Sequence, residues 1–217
     1  MNRALIIKEL RECAPAVAIA ALLGAYTVWV YTGGVVFPGM GKSTWPVPFV
    51  HDDFQHGPLL IVMGALALVL GFKQTVLEDF LGTYRYLLHR PIDRRRVFLL
   101  KALVGMGLVQ AVGAAMILGY ALWAATPGTH ASPFYWSMTE PAWRVWLVVP
   151  LLYLGAALSG VRPARWYGSR LMPFVGSGAI AFVLAILPWW WIGAAGAALV
   201  GLAQTAGMLF VAQTRDF

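Results

Sequence analysis

The stretch Lys73–Lys101, KQTVLEDFLGTYRYLLHRPIDRRRVFLLK, is the charged, proline-broken piece around which the rest of the chain is organised. An apolar run lies on each side of it, Gly57–Phe72 before and Val97–Ala125 after. A helix needs about 20 mostly apolar residues to cross a bilayer. Further out, four more runs qualify: Pro15–Val36, Trp143–Val161, Leu171–Leu187 and Trp189–Ala212. Pro188 and the tryptophans Trp189, Trp190 and Trp191 mark the turn between the last two, since such rings settle at the lipid–water boundary. Composition agrees: of 217 residues, 60% are hydrophobic and only 12% charged, whereas a soluble domain is about one quarter charged. The expected fold class is an all-α integral membrane protein, a six-span helical bundle with no sizeable soluble domain.

Orientation follows from Lys and Arg. With the N-terminus in the cytoplasm, every basic residue except Lys42 and Arg144 falls in an inside segment. A split this lopsided in short loops is the positive-inside pattern. It predicts a cytoplasmic (inner) membrane protein with both termini cytoplasmic, and it assigns the net charge of +7 to anionic headgroups, not nucleic acid. The single cysteine, Cys13, excludes an internal disulfide framework. Residues 1–14 read as an interfacial helix, with Ile6, Leu10 and Cys13 on one face, before Pro15 opens the first span.

Inside Lys73–Lys101, Leu77, Phe80, Leu81, Tyr84, Leu87 and Leu88 recur at helical spacing, with Glu78, Asp79, Arg85 and His89 off the stripe. Pro91 stops that helix. Asp93 is placed to cap the next one, and Arg94, Arg95 and Arg96 to anchor its start at the headgroups. Periodicity leaves two readings open: a structural interfacial helix, or a docking element for a soluble partner.

These residues resemble the permease subunits of ABC-2-type ABC transporters. The pattern E-x-x-x-G-T-x-x-x-L-L-x-R-P-x-x-R-x-x-x-x-x-x-K stands in this chain as Glu78, Gly82, Thr83, Leu87, Leu88, Arg90, Pro91, Arg94 and Lys101. The opening KELR (Lys8–Arg11) and the closing Arg215-Asp216 are similar to the family's ends. The resemblance implies one transmembrane domain over 15–217 and a dimer with a second permease copy or homologue. It also implies a separate ATPase subunit, holding ATP and Mg, that docks on a coupling helix within segment 73–96. The docking residues it implies are Glu78, Asp79, Gly82, Thr83, Arg85, His89, Arg90 and Pro91. Glu78 and Asp79 would face basic groups of the ATPase, and the apolar stripe would seat the helix on the bundle. One departure is the tight turn at Pro188, where the family often has a larger loop with short re-entrant helices.

Other motifs carry less. Gly39-Met40-Gly41-Lys42-Ser43-Thr44 looks like the end of a phosphate-binding loop, but Val36 stands where that motif needs glycine and Trp45 and Pro46 follow. No cofactor is expected on this chain. His51, Asp52, Asp53 and His56 gather ligand-type side chains, but i, i+5 spacing does not put the two histidines on one helix face. The expectation is a hydrated loop capping the second span, with a gating role at the outer mouth as the alternative. The spans hold no acid or base at mid-depth, which argues against a proton-coupled pump and an intramembrane protease. Their polar residues, Thr27, Gln110, Ser177, Gln204 and Thr205, suit bonds between helices. Gln110 and Gln204 are the candidates for lining a path. The expected function is therefore a transporter permease that is not itself an enzyme, with a non-transporting membrane scaffold as the alternative.

Overall fold

The computed structural model describes residues 2–34, 47–82, 93–165 and 169–214. Among them there is helix and no strand. Six helices are long and apolar enough to cross a membrane. In chain order they are α1 (Asn2–Tyr31), α2 (Gln55–Phe80), α3 (Arg94–Ala125), α4 (Trp136–Val161), α5 (Ser169–Ile186) and α6 (Trp190–Thr214). The chain is a multi-pass helical membrane protein, and the expected six spans are the six helices, with two changes at the ends.

The first change is in α1, which runs unbroken from Asn2 through Pro15 to Tyr31, so residues 2–14 are its first turns and not a separate interfacial helix. The second is in α2. It continues past Phe72 through a π-helical turn at Lys73–Leu77 and ends at Phe80. Gly82, at φ +70°, closes it in a left-handed conformation that glycine adopts without strain. Residues Thr83, Tyr84, Arg85, Leu87, Leu88, His89, Arg90 and Pro91 lie outside the described residues, as does the Gly39–Thr44 motif. Asp93 caps α3 as expected, its carboxylate accepting from Arg95 N at 3.0 Å.

α4 is the most buried span, and α5 and α6 the least. It packs against α2, α3, α5 and α6, while α1 lies on α2 and α3 on the other side. Such packing needs small residues, because in lipid helices associate by close backbone approach. α4 supplies them: a Cβ at Gly160 would overlap the hydroxyl of Thr75 on α2, and one at Gly155 that of Ser177 on α5.

Polar ties fix both ends of the bundle. At the end that carries the N-terminus, Arg95 of the expected anchor Arg94–Arg96 donates to Gln213 Oε1 at 3.1 Å. There Arg170 donates to the carbonyls of Ser159 and Gly160 at the foot of α4. At the opposite end Arg144 pairs with Glu140 at 2.7 Å and donates to the carbonyls of Leu187 and Pro188.

Candidate functional site

The helices α1, α2 and α3 meet near the N-terminal end of the bundle around a buried set of charges. Each helix delivers its residue by phase. On α1, Glu9 and Cys13 stand one turn apart on the buried face, both 0% exposed. On α2 the inward stripe Met63–Ala67–Leu70–Gln74–Glu78 runs straight through the π-helical turn. On α3, Lys101 lies two turns inside the helix and is 3% exposed.

Lys101 Nζ is 2.8 Å from Glu9 Oε1 and also bonds Glu78 Oε1, so one ammonium bridges two carboxylates from two other helices. Gln74 Nε2 donates to the other oxygen of Glu9 at 3.1 Å, and Gln74 Oε1 accepts from Tyr153 OH of α4. Tyr153 OH also reaches the backbone carbonyl of Lys101 at 3.1 Å. Its ring lies against Gly105 of α3, where any larger side chain would collide with it. At the rim, Lys8 Nζ is 3.6 Å from Glu9 and 3.2 Å from Glu12, and Lys73 donates to the Glu12 carbonyl. Three lysines thus alternate with three glutamates, and all four innermost helices contribute.

What this arrangement does is mechanical. A charge that is buried at membrane depth is costly unless paired, so separating α2 from α1 or α3 here would strand a carboxylate or an ammonium. The ion set is therefore a clasp that makes the end of α2 move with its neighbours. The carboxylates of Glu9, Glu12 and Glu78 lie close enough together to hold a metal ion. However, Lys101 already stands between Glu9 and Glu78 as their cation, and its repulsion opposes a metal there. One oxygen of Glu78, Oε2, is buried with no hydrogen-bond partner among the described residues.

This corrects the expected coupling face. Glu78 does not point outward to a partner: it is 7% exposed and committed to Lys101. The stripe expected to seat the helix is the face turned away, with Leu77, Phe80 and Leu81 all exposed. The cause is continuity, because this segment extends α2 and inherits its phase instead of starting a new one. Asp79 is half-buried, and Gly82 ends the helix. Arg94 is half-buried; Arg95 and Arg96 are exposed. In the sequence Lys101 counts only among the inside-facing basic residues and the motif positions, so this site was missed; a lysine four residues after Val97 in an apolar run, which requires acids from adjacent helices, is the signal that could have found it.

The remaining candidates are placed as follows. Gln204 donates to Ser177 Oγ at 2.6 Å, a bond between α6 and α5. Gln110 accepts from Trp146 Nε1 at 2.9 Å through its backbone carbonyl, while its side-chain Oε1 is buried with no hydrogen-bond partner among the described residues. Thr27 and Thr205 instead bond back along their own helices, to the carbonyls of Leu23 and Gly201. At the far end, Asp52 is 2% exposed, unlike the hydrated loop expected. Its carboxylate accepts from the N–H groups of Phe49 and Phe54, both at 3.0 Å, and from Tyr120 OH. Phe49 and Phe54 pack on the Tyr120 ring at centroid distances of 4.6 and 4.8 Å. Phe49 and Asp53 take positive φ (63° and 50°), a strained conformation for these residues, and the rings of this loop pack where Tyr31 of α1 meets Tyr120 of α3. His51, Asp53 and His56 are exposed around it.

Fold and site together define a polytopic α-helical membrane protein whose first three helices are tied by a buried ion clasp. Comparison with protein-family models, with curated proteins and with solved structures returns no match.

Proposed function

We propose that this chain is the membrane-spanning subunit of an ATP-driven transporter of the ABC-2 type. In this reading it works in the cytoplasmic membrane as a dimer with a second copy or homologue, both termini cytoplasmic, beside a separate ATPase that holds ATP and Mg. The reading rests on the motif from Glu78 to Lys101 and the six-span topology. The observation that carries it is the clasp. A push delivered to the chain beyond Phe80 reaches α2, and Lys101 passes it to α3 and α1 because the buried charges resist separation. Two motif residues, Glu78 and Lys101, thereby take a role as each other's partners and not as contacts of the ATPase. The ATPase would instead meet the outward face near Phe80 and Leu81 and the segment to Asp93.

The test is affinity purification of the chain from its native membrane in mild detergent. The expected result is a co-purifying ATPase whose ATP turnover depends on the chain. Absence of any nucleotide-hydrolysing partner would sink the proposal. A partner whose turnover is indifferent to the chain would favour the scaffold reading.

A further inference from the structure

The π-helical turn at Lys73–Leu77 decides which residue of α2 meets Lys101. In a regular helix, at about 100° per residue, seven residues make about 700°, about 20° short of two full turns. Leu77 would then stand almost beneath the buried Leu70, with Glu78 about 80° away from it. The structure has the reverse: Glu78 is 7% exposed and Leu77 44%. A π turn takes in one residue more than an α turn, and that residue carries Glu78 into line and swings Leu77 out. Single π turns inside α-helices occur frequently at functional sites.

We infer that the end of α2 is a latch with two facings, related by one residue of slip at this turn. In the first, the π turn is in place and Glu78 holds Lys101. In the second, the turn relaxes to α, Leu77 takes the inward place and Glu78 turns out of the bundle. Glu78 is the member of the clasp that can leave. Both oxygens of Glu9 are engaged, by Lys101 and by Gln74, whereas Oε2 of Glu78 is buried with no partner among the described residues. Its release leaves Lys101 and Glu9 as a neutral one-to-one pair, so no charge is stranded. The end has room to turn: Phe80 and Leu81 are exposed, and a Cβ at Gly82 would meet nothing within 4 Å. The upstream side is fixed, since the Thr75 hydroxyl donates to the Gly71 carbonyl at 2.7 Å and packs on Gly160 of α4. A cation offered to Glu78 from outside the bundle favours the second facing, and the bond to Lys101 favours the first. The inference does not depend on the transporter reading.

Exchanging the two residues, Leu77→Glu with Glu78→Leu, tests this on the whole chain in detergent. Nitroxide labels at Phe80→Cys and Phe210→Cys, both at exposed positions, report the facing by their separation, with Cys13→Ser throughout. In the exchanged chain a regular helix brings the acid at position 77 onto Lys101 without a π turn. It should therefore unfold at or above the wild-type temperature. Its label at position 80 should swing by about 100°, a displacement of about 8 Å at a helix radius of about 5–6 Å. Deleting Val76 as well takes out one residue, returns the label to its wild-type distance and lowers the unfolding temperature of the exchanged chain. The same deletion in the wild type should leave the distance unchanged. An exchanged chain that keeps the wild-type distance, or that does not fold, overturns the inference. So does a shift that survives the deletion of Val76, which would be fraying of the helix end and not slip.

Discussion

Lys101 is the residue on which most of the site turns. It sits about 10 Å along α3 from Arg94 in an apolar run, and no lysine is stable there alone. Removing one partner of a buried ion pair costs about 3–5 kcal/mol, because the stranded charge loses its compensation. Lys101→Met should therefore lower the stability of the chain by that order, read as a drop in the midpoint of thermal unfolding in detergent. Lys101→Met combined with Glu9→Gln and Glu78→Gln removes all three charges at once and should recover most of the loss. If the single and triple variants unfold alike, the three residues do not act as one ionic set. In sequence Lys101 reads only as an inside-facing basic residue and a motif position, and the demand of an ammonium this far into an apolar run for acids on other helices went unread. Which acids it takes was not legible. Glu9 reads as an interfacial residue until α1 is known to run unbroken through Pro15.

Among the elements, α2 separates what sequence pattern resolves from what it does not. Its apolar centre and its break before α3 are plain from composition and from Pro91. The facing of Lys73–Phe80 is not, because two stripes compete for it. One restarts at Leu77 and turns the apolar residues inward; the other continues from Leu70 through Gln74 to Glu78. In lipid the outward face is apolar as well, so hydrophobicity cannot choose, and only Lys101 on a neighbouring helix decides. The contact of α2 with α4 holds that phase. Gly160→Ala places a methyl group on the Thr75 hydroxyl, an overpacking that costs about 1–3 kcal/mol. Adding Thr75→Ala removes the oxygen that is hit and should return a large part of the stability, giving a favourable coupling in a double-mutant cycle. Strict additivity of the two changes would mean the helices do not touch at this point.

For the whole molecule, the number and place of the spans were the most legible level. Six apolar runs and the tryptophans at the turn before α6 are set by the bilayer and not by packing detail. The polar sites at the two ends were less visible, because both depend on residues far apart in sequence: Glu9 with Lys101 at one end, Asp52 with Tyr120 at the other. These ends divide the work that the proposed function requires. The clasp ties the end nearest the proposed ATPase, while at the far end Asp52, Phe49 and Phe54 pack onto Tyr120. Stiffness at the clasp has a consequence separable from folding. The triple variant Glu9→Gln, Glu78→Gln, Lys101→Met should assemble with its ATPase, since none of the three side chains faces outward. It should nevertheless transmit force poorly, because hydrogen bonds among neutral groups replace a desolvated ion set. In a reconstituted complex, the chain-dependent part of ATP turnover should fall several-fold while partner binding persists. Wild-type coupling in a folded, assembled triple variant would remove the clasp from the mechanism and leave it a purely structural tie.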